Sequence, residues 1–130
     1  RVLARMEASP LCSGGIVGLG ICFGGRVLWP FATQGRLQGL AGWHPSGLAA
    51  LLHAGLPRCP VELDFGDQDS SIPLDEVEAL RAAFDGRDDA AIRVHAGAQH
   101  GFSHRRSPRF HARAAEHADI GLRDLLDRLR

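Results

Sequence analysis

The sequence has no run of apolar residues near the ~18 that a membrane-crossing helix needs, no Cys-x-x-Cys pair, and only three cysteines, Cys12, Cys22 and Cys59. The first lack leaves no candidate for a helical membrane span. The second leaves no zinc ribbon and no thioredoxin-type dithiol. Three unevenly spaced cysteines are too few for a disulfide framework, so they read as free thiols and point to the reducing cytoplasm. No excess of charge exists either. Lysine plus arginine equals aspartate plus glutamate, 15 each, which gives no basic surface for nucleic acid or an anionic membrane. Nothing in the sequence calls for a metal or a cofactor. The opening residues, Arg1 to Glu7, lack the apolar stretch of a signal peptide. They also open mid-pattern, with Met6 as the only methionine. The chain is expected to be a fragment, or a reading frame cut short at its 5′ end.

The 130 residues carry 45% hydrophobic side chains, as in an ordinary globular domain. A chain of this length can bury about two-thirds of its unfolded surface. Residues 1–130 therefore read as a single domain.

Apolar β-rich runs alternate with helical patterns. Ile16–Leu19, Leu37–Trp43, Val61–Phe65 and Ile92–His95 are the strand candidates. Val77, Leu80 and Phe84 recur at helical spacing behind acidic Asp75 and Glu76, where the helix dipole favours negative charge. Leu48, Leu51 and Leu52 mark a short helix closed by Gly55. Ala118, Leu122, Leu125, Leu126 and Leu129 form the stripe of a C-terminal helix, with Ser107-Pro108 as its expected cap and first turn and Arg123, Asp124, Asp127 and Arg128 as its wet face. A helix is also expected from about Gly24, short or kinked because Pro30 falls inside it. Short strands separated by helices predict an α/β fold with about four parallel strands flanked by helices.

Three loops carry chemistry. Gly18-Leu19-Gly20-Ile21-Cys22-Phe23-Gly24-Gly25 follows the first strand. This is the nucleophile-elbow pattern with cysteine in the serine position. A nucleophile on so sharp a turn needs small neighbours two positions before and after it. The amide of Phe23 then faces the site as an oxyanion donor, and the new helix favours the thiolate. Taken alone, the same residues also describe a buried cysteine in a glycine-rich turn. The second loop, Phe65 to Pro73, holds Asp67 and Asp69 beyond the third strand; it also reads as a solvated turn. The third, Gly97 to Phe102, holds His100 beyond the fourth strand, one histidine of seven. Cysteine, acid and histidine appear in the chain order of the α/β-hydrolases. That shared order raises all three above their bland readings.

On these residues the sequence resembles the dienelactone hydrolase family. The matching pieces are Gly20-Ile21-Cys22-Phe23-Gly24-Gly25, then Gly66-Asp67-Gln68-Asp69 with Pro73, then His100-Gly101-Phe102. The resemblance covers the C-terminal part of the family's fold, a truncated α/β-hydrolase. It implies Cys22 as nucleophile, His100 as base and Asp69, rather than Asp67, as the acid of the triad. It also implies hydrolysis of an ester or an enol-lactone of the dienelactone (carboxymethylenebutenolide) type, in the catabolism of aromatic compounds, without a cofactor or metal. The family's earlier strands have no counterpart here. With them go a second oxyanion amide, an acidic residue that controls the cysteine and an arginine that holds the substrate carboxylate. The family's arginine after the histidine corresponds to His104, followed by Arg105 and Arg106, and its downstream tyrosine to Phe110. His104, Arg105 and Arg106 are the expected substrate-binding group. The first strand should be an exposed sheet edge that invites a homodimer. Two other readings stand beside hydrolysis: a non-catalytic fragment or interaction domain of the same ancestry, and a thiol redox sensor using Cys22.

Overall fold

A computed structural model describes residues 1–12 and 14–130. After a short helix α1 (Val2–Glu7), the chain runs β1 (Val17–Ile21), α2 (Phe23–Thr33), β2 (Gly39–Trp43), a 3-10 helix (Ala49–Ala54), β3 (Val61–Gly66), α3 (Leu74–Ala83), β4 (Ala90–His95) and α4 (Ala112–Arg128). The four strands form one sheet in the order β1-β2-β3-β4, and every pairing is parallel. This is the α/β arrangement that the alternating pattern predicts. No described helix is long and apolar enough to cross a membrane.

The two faces of the sheet differ. On one, Leu40, Val61, Leu63 and Phe65 meet Trp29 of α2, Ile72, and Val77 and Leu80 of α3 in the main apolar core. Trp29 anchors it, edge-on to Phe84 and donating its indole N–H to the Gly55 carbonyl at 3.1 Å. The other face lies under α4, and on β3 and β4 it is polar. Glu62 and Asp64 are buried there at 4% and 1% exposure. Arg93 lies 2.5 Å from Glu62 and 3.7 Å from Asp64, His95 Nε2 lies 2.8 Å from Asp64, and Arg128 donates to Glu62. Arg128 is thus not simply part of the wet face. The alternation Val61-Glu62-Leu63-Asp64-Phe65 looks like a half-solvated strand, but a helix covers its polar side and ion pairs hold Glu62 and Asp64 there, with Asp64 Oδ2 left without a hydrogen-bond partner among the described residues.

Two helix expectations change. Helix α2 starts at Phe23 and runs through Pro30 to Thr33. Pro30 is exposed, so the carbonyl it leaves without a helical donor can meet water. Helix α4 is capped by His111, whose Nδ1 accepts the Ala114 N–H at 3.2 Å, and not by Ser107-Pro108. Ser107 instead accepts from Arg109 N–H in a local turn. The buried stripe of α4 is Ala114, Ala118, Gly121 and Leu125; Leu122 is half-buried and Leu126 exposed. Ala114 and Ala118 pack with Ala98 and Phe102, and Gly121 lies close over the charged pairs. A Cβ on Gly121 would come within 2.7 Å of Arg93 Nη1.

Strand β1 is an edge of the sheet. Its side chains Leu19 and Ile21, on the α4 side, are exposed.

Candidate active site

The loops after β1, β2, β3 and β4 all leave the sheet at its carboxyl end, because the four strands are parallel. Side chains far apart in sequence therefore converge there. Cys22 follows β1 with φ 52° and ψ −121°, in a region that L residues rarely adopt. Hydrogen bonds hold this turn from both sides. Cys22 N–H donates to the Trp43 carbonyl at 3.0 Å, and the Cys22 carbonyl accepts from Ser46 N–H at 3.2 Å and Gly25 N–H at 3.3 Å. The glycines share the work differently from the expectation. A Cβ on Gly20 would strike the backbone of Gly25 at 2.4 Å, and one on Gly25 would strike Pro45 at 2.4 Å. A Cβ on Gly24, two positions after the nucleophile, would meet nothing within 4 Å. The small residue required after Cys22 is the third one, Gly25.

Asp69 follows β3 with its carboxylate wholly shielded from solvent. One oxygen, Oδ1, accepts the N–H groups of Ser71 at 2.8 Å and Ile72 at 3.1 Å. These two bonds fix the other oxygen, Oδ2, which lies 2.8 Å from His100 Nδ1. The far ring nitrogen, His100 Nε2, lies 3.1 Å from Cys22 Sγ. A carboxylate only accepts, so Nδ1 carries the proton and Nε2 presents its lone pair to the thiol. The structure thus brings Cys22, His100 and Asp69 into one continuous hydrogen-bonded line.

Asp67 does not join that line. Its Oδ1 accepts the Gly97 N–H at 2.7 Å, tying the acid loop to the loop that carries His100. Phe23 is the first residue of α2, where helix amides have no intrahelical acceptor. Its side chain is 62% exposed beside Cys22. His104, Arg105 and Arg106 lie on the exposed turn that follows His100. Among the described residues neither arginine has an ion-pair partner, and no hydrogen bond or ion pair joins any of the three to Cys22. Phe110 is half-buried at the start of the approach to α4. Among the described residues, no three His, Cys, Asp or Glu side chains are arranged to hold a metal ion.

Sequence reasoning missed His44, which follows β2. It is 3% exposed, its ring centroid lies 4.8 Å from that of His100, and its Nε2 lies 2.9 Å from Ser103 Oγ. Burial first, and then the nearby His100, push its pKa down from the ordinary 6.5 to about 4. Its ring is therefore neutral at neutral pH. Its place at the carboxyl end of a strand was the available signal. Of the other two cysteines, Cys59 is buried, which pushes its thiol pKa up, and Cys12 donates to the Gly14 carbonyl.

The sequence profile of the dienelactone hydrolase family matches residues 2–128. A carboxymethylenebutenolidase of Pseudomonas sp. (strain P51) is 26% identical over 129 residues, covering 98% of this chain and 54% of that protein. A solved structure of a dienelactone hydrolase-like promiscuous phosphotriesterase from metagenomic libraries superposes with a TM-score of 0.81 at 23% identity, over 98% of this chain and 58% of the other. An alpha-beta serine hydrolase homologue from Coxiella burnetii superposes with a TM-score of 0.67 at 23% identity, over 95% of this chain and 55% of the other. The chain spans about half the length of the curated relatives it matches.

Proposed function

The chain belongs to the dienelactone hydrolase family, and from that premise we propose that it hydrolyses ester or lactone bonds with Cys22 as nucleophile, His100 as base and Asp69 as the residue that orients the base. The observation that carries this reading is the pair of bonds on one imidazole, 3.1 Å to Cys22 Sγ and 2.8 Å to Asp69 Oδ2.

In the first step the thiol proton passes to His100 Nε2 and the sulfur bonds to the carbonyl carbon. The oxyanion that forms is stabilised by Phe23 N–H. The ester C–O bond then breaks, and His100 returns the proton to the leaving oxygen. A water, deprotonated by the same Nε2, attacks the thioester. The C–S bond breaks and the thiol is restored. Asp69 stays ionised throughout and stabilises the imidazolium without taking its proton.

The proposed substrate class is a small anionic ester or lactone of the dienelactone type, met in aromatic catabolism. Arg105 and Arg106, with His104 beside them, supply the positive charge. The three free thiols suit a reducing compartment, and the cytoplasm is the proposed location.

The test is turnover of an activated ester with acid quenching and mass mapping. The proposal expects an acyl group on Cys22 and its loss in Cys22→Ala. Turnover that survives Cys22→Ala contradicts it. Equal rates on anionic and neutral esters, unchanged by the Arg105→Ala Arg106→Ala double substitution, remove the substrate assignment alone.

A further inference from the structure

Cys22 and His44 are the only non-glycine residues with positive φ among the described residues, at 52° and 41°. One is the proposed nucleophile. The other, from a different loop, packs against the proposed base. Backbone strain at a non-glycine residue persists only where its surroundings enforce it, and it concentrates at functional sites.

The surroundings of His44 are well defined. Its N–H donates to the Asp64 carbonyl at 2.7 Å, which continues the β2–β3 ladder and fixes where the residue leaves the sheet. From there the side chain enters the base loop. Its ring meets His100 at 4.8 Å with an interplanar angle of 64°, and Phe102 at 5.1 Å and 80°. Its Nε2 lies 2.9 Å from Ser103 Oγ. One buried side chain thus touches three of the four residues from His100 to Ser103. Its Nδ1 is buried with no hydrogen-bond partner among the described residues.

We propose that His44 is a positioning residue for the base: its ring, wedged against His100, Phe102 and Ser103, fixes the plane of the His100 imidazole so that Nε2 faces Cys22. The inference rests on the Cys22–His100–Asp69 reading. Asp69 alone anchors one ring nitrogen and leaves rotation about that contact free. The edge-to-face contact from His44 removes this freedom. The charged groups that face His44 are His100 and Asp69. Burial keeps His44 neutral at neutral pH, so the imidazolium formed on His100 during the reaction meets no like charge from that side.

The experiment is iodoacetamide labelling of Cys22, followed by peptide mapping across pH. The proteins are the parent chain and the variants His44→Gly, His44→Phe, Ser103→Ala and His100→Ala, each with its melting curve. Glycine takes φ 41° without strain, so His44→Gly removes the ring while relaxing the backbone. The expected result is a folded His44→Gly protein whose Cys22 labels about tenfold more slowly at pH 7. Its labelling rates across pH approach those of His100→Ala. His44→Phe restores most of the rate, and Ser103→Ala shifts the profile slightly in the same direction as His44→Gly. Parent-like labelling in a folded His44→Gly protein overturns the inference. If His44→Gly does not fold, His44→Phe decides: a parent-like profile supports the role of the ring, and one like His100→Ala overturns it. If His100→Ala labels as the parent does, the triad itself fails, and the role of His44 with it.

Discussion

Gly20 and Gly25 meet backbone to backbone, so closely that a Cβ on Gly20 would lie 2.4 Å from both the nitrogen and the Cα of Gly25. The contact joins the end of β1 to the first turn of α2, and Cys22 sits at its apex. Neither side can yield without moving main chain. Gly20→Ala should therefore cost about 3 kcal/mol of stability, and Gly25→Ala, which meets the rigid Pro45 ring, a similar amount. Gly24→Ala should stay within about 1 kcal/mol of the parent. Urea unfolding of the three variants checks this. A Gly24→Ala protein as damaged as Gly20→Ala would contradict the geometry.

Asp67 is expected to matter for stability and not for the thiol. Removing its carboxylate in Asp67→Ala leaves the Gly97 N–H without its protein acceptor at a solvent-reached position, a loss of about 1 kcal/mol. The rate of Cys22 labelling should barely change. A thermal melt and a labelling time course on the same sample separate the two effects. A large drop in labelling with an unchanged melt would make Asp67 part of the site.

Buried His44 makes the fold sensitive to acid. Its folded-state pKa of about 4 lies below the ordinary 6.5, so between those values the unfolded chain binds more protons. Stability is full above about pH 6.5 and declines as pH falls toward 4, by at most about 3 kcal/mol from this group. His44→Phe cannot take up the proton and should lose less between pH 7 and pH 4.5. Denaturant midpoints at the two pH values test the difference. Equal losses in parent and variant would assign the acid sensitivity elsewhere.

The strands and the proposed triad were legible in the sequence because each rests on local pattern. A short apolar run sets each strand, and a Gly-x-Cys-x-Gly-Gly, an Asp-bearing loop and a His-Gly-Phe accompany β1, β3 and β4. The helix stripe of α4 was less legible. Its inner face is built on Ala114 and Ala118, which pack with Ala98 and Phe102, and on Gly121, whose role appears only once Glu62 and Arg93 are seen beneath it. His44 was less legible for a related reason. Its place beyond a strand was its one local signal, and its importance comes from His100 and Phe102, more than 50 positions away. Likewise, sequence position alone favoured Gly24 as the small neighbour, whereas the path of Pro45 selects Gly25.

The edge of the sheet carries a further prediction. Leu19 and Ile21 project from β1 on the side that α4 leaves uncovered, and that strand is paired on one side only. Such an edge templates pairing with a second copy. The chain studied alone is expected to self-associate, and a Leu19→Lys substitution should weaken the association. Light scattering at high concentration gives the answer. A monomer throughout would remove the homodimer.

The account turns on the contact between His100 Nε2 and Cys22 Sγ. The most direct test is competitive alkylation of the three thiols across pH, on the parent and on His100→Ala and Asp69→Asn. It needs the nucleophile and its neighbours but no turnover. The account predicts that Cys22 labels ahead of Cys12 and Cys59. It also predicts that His100→Ala slows Cys22 labelling near neutral pH, and that Asp69→Asn slows it by less. Faster labelling of Cys59, or a Cys22 profile untouched by His100→Ala, would contradict it.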